Sequence, residues 1–285
     1  MTTQTSNLRV MVRGAYDLQK LRISVGNRIA MNFRAKLGQE PSKKLEDAEA
    51  QLIVKDLKAR FKRLTDGLVR LPQPGKFKGD NVISSWTELA LVAQYVELER
   101  QETAHFRRLQ NVLEEIPFYT GWLRGVRGVG PAMAGVLLGE IDIAKAKYPS
   151  SLWKYAGLDL GPDGAGRSKR KEHLIDRTYK DREGKMQTCK SITYNPFLKT
   201  KLVGVLAGSF LRCDSPYAEV YRNYRHRLEN HPKWTDAKKI NIHRAALRYM
   251  IKMFLIDFHV AWRSAEGLPV SKSYHEAKLG HKHAA

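Results

Sequence analysis

The chain has 285 residues, 42% of them hydrophobic, with 50 Lys+Arg against 29 Asp+Glu and a formal net charge of +21. That length allows one large domain or two modest ones, with enough apolar residues for a real core. The surplus positive charge points to polyanions, either nucleic acid or an anionic membrane surface, whereas Cys189 and Cys213 form no CxxC pair or Cys/His ligand spacing and argue against structural zinc.

Residues 1–7 are polar and lack the apolar segment of a signal peptide. No stretch approaches the ~20 apolar residues of a membrane span. The expectation is a cytoplasmic, nucleoid-associated protein with nucleic acid and no membrane as partner. Binding through phosphates would release counterions and weaken steeply with salt.

In chain order, residues 8–37 are rich in helix formers and read as a first helix. Residues 43–71 give a second, because Leu57, Phe61, Leu64, Leu68 and Leu71 recur at 4-3-4-3 spacing on one face. Two prolines and two glycines between Pro72 and Gly79 make a loop or hinge. A long helix is predicted over 86–116, roughly 45 Å at ~1.5 Å per residue. Its stripe starts with Leu89, Val92 and Val96 and resumes with Phe106, Leu109, Leu113 and Ile116. Such a helix either pairs in a coiled coil or packs in a bundle, and Pro117 ends it.

After Pro117, short helices alternate with loops. Residues 157–171 form a glycine-rich basic loop, and 179–190 read as a small hairpin around Glu183-Gly184. Residues 197–213 read as helical, with Gly204, Ala207 and Gly208 offering close backbone approach. Further helices are predicted over 216–228 and 236–263, the last capped by Thr235 or Asp236. Its apolar face carries Ala245, Ala246, Met250, Met253 and Phe254, and its other face Arg244, Arg248 and Lys252, four residues apart. The tail after Gly267 is polar and reads as loose. His243 and His259 read as ordinary residues of the last helix, and His275, His281 and His283 as tail residues. Asp159, Asp163, Asp176 and Asp257 have no spacing that pairs two of them as acid and base.

The sharpest local signal is Leu123-Arg-Gly-Val-Arg-Gly-Val-Gly-Pro-Ala-Met-Ala-Gly-Val-Leu-Leu138. It resembles a helix-hairpin-helix. Gly128 and Gly130 would allow φ > 0 and clear the way for a phosphate. The N–H groups opening the next helix would face the anion, aided by the helix dipole. Val129 would point inward, with Arg124 and Arg127 alongside. Contacts of this kind hold a duplex without reading its sequence. The plainer reading is an ordinary tight turn between helices.

From here the chain resembles the Piv-invertase-related insertion-sequence transposases. The resemblance runs through residues 125–141, Tyr155-Ala-Gly-Leu158, the basic glycine loop, Asn195-Pro196-Phe-Leu-Lys199, the Tyr- and Arg-rich segment 216–227 and the basic helix 239–263. Residues 8–37 resemble the Arg-rich helix that opens the family's connecting coiled coil. The resemblance implies DNA strand exchange by a nucleophilic serine together with metal-binding acidic residues of an RNase-H-like domain, directed by a structured RNA. Only seven residues precede the first predicted helix, so the acidic domain is expected to be missing here. The family's serine follows the Tyr-Ala-Gly-Leu motif, and the simplest alignment puts Gly164 there. Ser168, between Arg167 and Lys169, is the candidate nucleophile, its cationic neighbours suited to a phosphoryl transition state. It needs an activating base or metal, and the sequence identifies none; the plainer reading is an exposed serine in a phosphate-binding strip.

The expectation is a mainly α fold: a helical or coiled-coil region over 1–116, a helix-hairpin-helix transposase-like domain with a small basic loop or hairpin over 117–267, and a polar tail over 268–285. The expected function is DNA binding in transposition or site-specific recombination with little or no autonomous catalysis. The alternatives are an active serine recombinase whose acidic domain comes from a partner chain, and a non-catalytic binder of branched DNA or structured RNA. Expected binding residues are Arg124, Arg127, Gly128, Gly130, Arg167, Lys169, Arg170, Arg244, Arg248 and Lys252. Expected partners are DNA, a structured guide RNA and a second copy through the long helices. No cofactor is expected on this chain alone, with Mg²⁺ entering only alongside a partner domain.

Overall fold

The computed structural model describes residues 3–40 and 45–270. The histidines 275, 281 and 283, most of the polar tail and the first residues of the predicted second helix lie outside them. The described residues are mainly helical and form two compact units, one within 10–108 and the other from 3–9 together with 109–270. Among the described residues no helix is long and apolar enough to cross a membrane.

The 10–108 unit is built from most of α1 (Thr3–Phe33), from α2 (Asp47–Leu64) and from most of α3 (Trp86–Glu114). Val25, Ile29 and Phe33 of α1, Ile53, Val54 and Leu57 of α2, and Leu89, Val92 and Tyr95 of α3 share one core, completed by Val82 and Ile83. The long helices therefore pack as a bundle here. α2 starts on a capping box, in which Glu46 and Glu49 satisfy each other's backbone N–H groups. It stops at Leu64, short of the predicted end at 71: Gly67 takes φ +71°, and Leu68 and Leu71 stand exposed beyond it. Their 4-3 spacing continued the stripe in sequence only, because the chain has left the helix.

The other unit centres on α5 (Pro131–Glu140), buried from Met133 onward. A sequence apolar on every side, Ala-Met-Ala-Gly-Val-Leu-Leu-Gly, suits a helix enclosed on all faces. The unit's other helices are α4 (Pro117–Gly121), α6 (Pro149–Tyr155), α7 (Pro196–Lys201), α8 (Ala207–Arg212), α9 (Pro216–Glu229) and α10 (Lys239–Ala265), of which α7 packs on α5. α7 and α8 are joined by one wider helical turn at Leu202–Leu206. Gly204 and Gly208 meet no neighbouring backbone, so the close approach expected there does not occur. α10 packs on α6, α8 and α9, and its Phe254 and Phe258 join an aromatic cluster with Phe210, Phe118 and Trp262. Neither Thr235 nor Asp236 caps it: Thr235 lies in the preceding turn and the cap is Lys238, without a side-chain bond.

The family-like motifs lock together. Gly157 adopts φ +64° with the Tyr194 ring where a Cβ would stand, at 2.6 Å. The Asn195 amide N–H donates to Tyr155 O at 2.8 Å. Its side chain caps α7 and donates to the buried Glu140 carboxylate at 2.6 Å; Arg9 pairs with that carboxylate at 3.3 Å. Tyr-Ala-Gly-Leu and Asn-Pro are thus architectural here. The hairpin is present as β1 (Ile175–Lys180) paired antiparallel with β2 (Met186–Ser191), turning on Gly184 at φ +81°.

Candidate nucleic-acid interface

The expected helix-hairpin-helix takes a different local form. Ahead of α5 stand only the five-residue α4 and a single tight turn, Leu123–Gly125. Val129 is buried, as expected. Gly128 has φ +100°, but a side chain there would meet Phe210 at 2.7 Å, so this glycine makes room for the core rather than for a phosphate. Ser209 Oγ donates to its carbonyl at 2.8 Å. Gly130 has φ −85° as the cap of α5, with open space around it. Pro131 opens the helix and has no N–H, so α5 presents fewer donors than expected. Arg124 is exposed and paired with Glu114 at 3.0 Å. Arg127 is exposed and lines a cavity of about 760 Å³ with Arg227 and the rings of Tyr217, Tyr224 and Tyr249.

The stronger cationic site lies between the 159–170 loop and α10. The loop is a miniature hairpin. Leu160 bridges Gly166, Gly161 N–H donates to Ala165 O at 2.7 Å, and Gly164 turns the tip at φ +71°. A side chain at Gly164 would sit in a backbone region that non-glycine residues disfavour. The loop packs so closely on α10 that a Cβ at Gly166 would overlap the Arg248 guanidinium.

A cavity of about 790 Å³ opens there, lined by Arg170 of the loop, Lys233, and Arg244, Arg248 and Lys252 of α10. Its lining contains no Asp or Glu. The three α10 cations share the cavity because their spacing of four residues keeps them on one helix face. Burial, then Arg244, lowers the Arg248 pKa; burial, then Arg248, lowers that of Lys252. Lys199 of α7 is lowered in the same order by burial and Arg248. Charges held close together and partly desolvated without an acidic lining cost free energy in the empty protein, and an anion relieves it. Tyr224 and Tyr249 stack at 3.9 Å on the same wall, and Lys252 lies over Trp153 at 5.2 Å.

Other expected residues sort differently. Arg167 is engaged by Asp159, Nη2 to Oδ2 at 2.7 Å, and donates to Leu160 O; this pairing organises the loop. Lys169 is exposed. Lys233 enters the cavity from the turn before α10, a contact that sequence spacing did not signal.

Ser168 lies beside an imidazole that the sequence did not single out. Its Oγ is 3.0 Å from His173 Nδ1, and His173 Nε2 is 3.0 Å from Asp163 Oδ1. The turn Lys171–His173 folds the imidazole back beneath the loop, where it is 2% exposed against Gly161. Arg170 donates to the same Ser168 oxygen from its backbone N at 3.3 Å and its Nε at 3.2 Å. The Ala165 amide, then His173, hold the Asp163 carboxyl below its ordinary range.

Two other histidines are structural. His259 is fully buried, not an ordinary face residue: Nε2 reaches Ala146 O at 2.8 Å while Nδ1 has no partner, and burial lowers its pKa. His243 meets the Tyr221 hydroxyl at 2.7 Å. Among the described residues no group of three or more His, Cys, Asp or Glu is placed to hold a metal ion.

No curated protein and no solved structure matches the chain. Residues 122–182 match the model described as Transposase IS116/IS110/IS902 family. The matched segment holds the turn before α5, α5 itself, the 159–170 loop, Ser168, His173 and β1.

Proposed function

We propose that this transposase-family chain binds DNA through the phosphate backbone, in the cavity between the 159–170 loop and α10, as its part in transposition or site-specific recombination. The observation that carries the reading is the set of five cations, Arg170, Lys233, Arg244, Arg248 and Lys252, around one cavity with no acidic side chain in its lining. A merely soluble basic surface intersperses its charges and gains nothing from crowding them. Phosphates fit this site because each neutralised charge releases a condensed counterion. Contacts of this type fix position without reading sequence. Arg127, and Gly130 at the start of α5, add a second phosphate contact in the same unit.

The test is fluorescence anisotropy with a labelled duplex over a range of salt concentrations. Affinity is expected to fall linearly on a log–log plot. In the triple variant Arg244→Ala, Arg248→Ala, Lys252→Ala, the slope is expected to shrink by about 0.9 per lost phosphate contact. An unchanged slope in a folded triple variant would remove the cavity from the interface.

A second reading, strand transfer by Ser168, is favoured by one observation: the imidazole 3.0 Å from its hydroxyl, itself held by a carboxylate. A serine hydroxyl is a weak nucleophile unless a base or metal activates it.

A further inference from the structure

We infer that His173, oriented by Asp163, is the general base that activates Ser168, making the 161–173 loop a self-contained nucleophilic site for phosphoryl groups. The inference rests on the second reading above, in which Ser168 attacks.

The geometry assigns the protons. His173 Nδ1 accepts the Ser168 backbone N–H at 2.9 Å, so that nitrogen carries a lone pair. The ring proton then sits on Nε2 and is donated to Asp163 Oδ1 at 3.0 Å. This tautomer is assigned from the hydrogen-bond network. It leaves Nδ1 able to take the Oγ–H of Ser168 across 3.0 Å. The ring is used in the opposite sense to serine hydrolases, where serine meets Nε2 and the carboxylate meets Nδ1; the roles are unchanged. As the hydroxyl proton moves onto Nδ1, it takes up the lone pair that the hydroxyl and the amide N–H share at rest.

Burial and packing hold the ring in place. His173 is 2% exposed, and a Cβ at Gly161 would overlap it. Asp163 is anchored by the Ala165 amide at 3.0 Å and paired with Arg170 at 3.2 Å. Arg170 also belongs to the cationic cavity. One guanidinium therefore touches the nucleophile oxygen and lines the space assigned to phosphate.

The step balances without a redox partner. Oγ–H gives its proton to Nδ1, and an Oγ–P bond forms. The P–O bond to the leaving strand breaks, and the leaving oxygen takes the proton back from the imidazolium. Asp163 is a positioning residue, since it reaches the reacting oxygen only through the imidazole.

The test uses the full chain and an alkyl fluorophosphonate, which forms the same Oγ–P bond while expelling fluoride and needs neither DNA nor partner chain. Peptide mass spectrometry should place the adduct on Ser168. Ser168→Ala should abolish it, and His173→Gln should slow it by about 10²-fold or more, the usual worth of a general base. His173→Gly should regain labelling when imidazole is added, and Asp163→Asn should slow it while Asp163→Glu recovers part of the rate. The imidazole rescue separates lost chemistry from a variant that simply unfolds. An unlabelled Ser168, or labelling as fast in a folded His173→Gln variant as in wild type, overturns the inference. A denaturation-resistant DNA adduct on Ser168 that persists in His173→Gln also overturns it while leaving the strand-transfer reading standing. If no protein–DNA adduct forms but fluorophosphonate labelling depends on His173, the base assignment holds and the strand-transfer reading fails.

Discussion

Replacing Arg248 by methionine should stabilise the free protein and weaken its hold on DNA. Arg248 is half-buried beside Gly166, and its charge acts on Arg244, Lys199 and Lys252. Two unit charges ~8 Å apart repel by roughly 0.5–2 kcal/mol at an effective dielectric between ~80 and ~20. Screening by salt takes the lower end of that range for the more exposed Arg244. Methionine keeps most of the buried aliphatic stem, so little packing is lost. The net gain is on the order of 1 kcal/mol, in line with other replacements of buried charge by apolar groups. For a chain of this size that raises Tm by about 2–4 °C. The same change removes one phosphate contact, so the log–log salt slope should shrink by about 0.9. Differential scanning fluorimetry and duplex anisotropy on the same preparation read both effects. A lower Tm with unchanged DNA affinity would refute the reasoning and make Arg248 a structural cation.

Three further substitutions separate packing from binding. Gly130→Asp fits the observed φ −85° and meets open space; as a favourable helix cap it should leave Tm unchanged or raised, while its charge weakens duplex binding at low salt. Gly128→Ala should cost about 2–4 kcal/mol in chemical denaturation, because the residue combines φ +100° with a Phe210 contact at 2.7 Å; a cost below ~0.5 kcal/mol would contradict the packing described. His259 has a lowered folded pKa through burial, so the unfolded chain binds its proton first as pH falls. Stability should therefore drop below about pH 6.5, the unfolded value, by up to ~1.4 kcal/mol per pH unit from this residue. His259→Phe should flatten that limb below about pH 6.5 in denaturant titrations; an unaltered limb would assign it to other groups.

Features set by local periodicity were legible in the sequence. The i, i+4 spacing of Arg244, Arg248 and Lys252 put three cations on one face, and the structure brings all three to one cavity. Glu183-Gly184 marked the hairpin turn. Features set by chain reversal were not. His173 lies five residues from Ser168, and only the miniature hairpin together with the turn at 171–173 brings Asp163 to the far side of its ring. A histidine following a Gly-Pro-Asp-Gly tip was the available signal, but spacing alone does not give ring orientation. Gly128 carried the sign of a phosphate turn, yet the same missing Cβ admits Phe210. Arg167 and Arg248 are alike in sequence, each in a basic strip; Asp159 pairs with one, and an acid-free lining surrounds the other. The stop of α2 at Leu64 escaped the hydrophobic pattern because Leu68 and Leu71 extend the period on exposed chain.

Crosslinking a duplex to the intact chain, digesting it and mapping the crosslinked peptides by mass spectrometry tests the cavity most directly. Crosslinks are expected in the 161–170 loop and along α10 between Arg244 and Lys252, and they should vanish at high salt. Crosslinks confined to residues 10–108, with none in the loop or on α10, would contradict the assignment of DNA to this cavity.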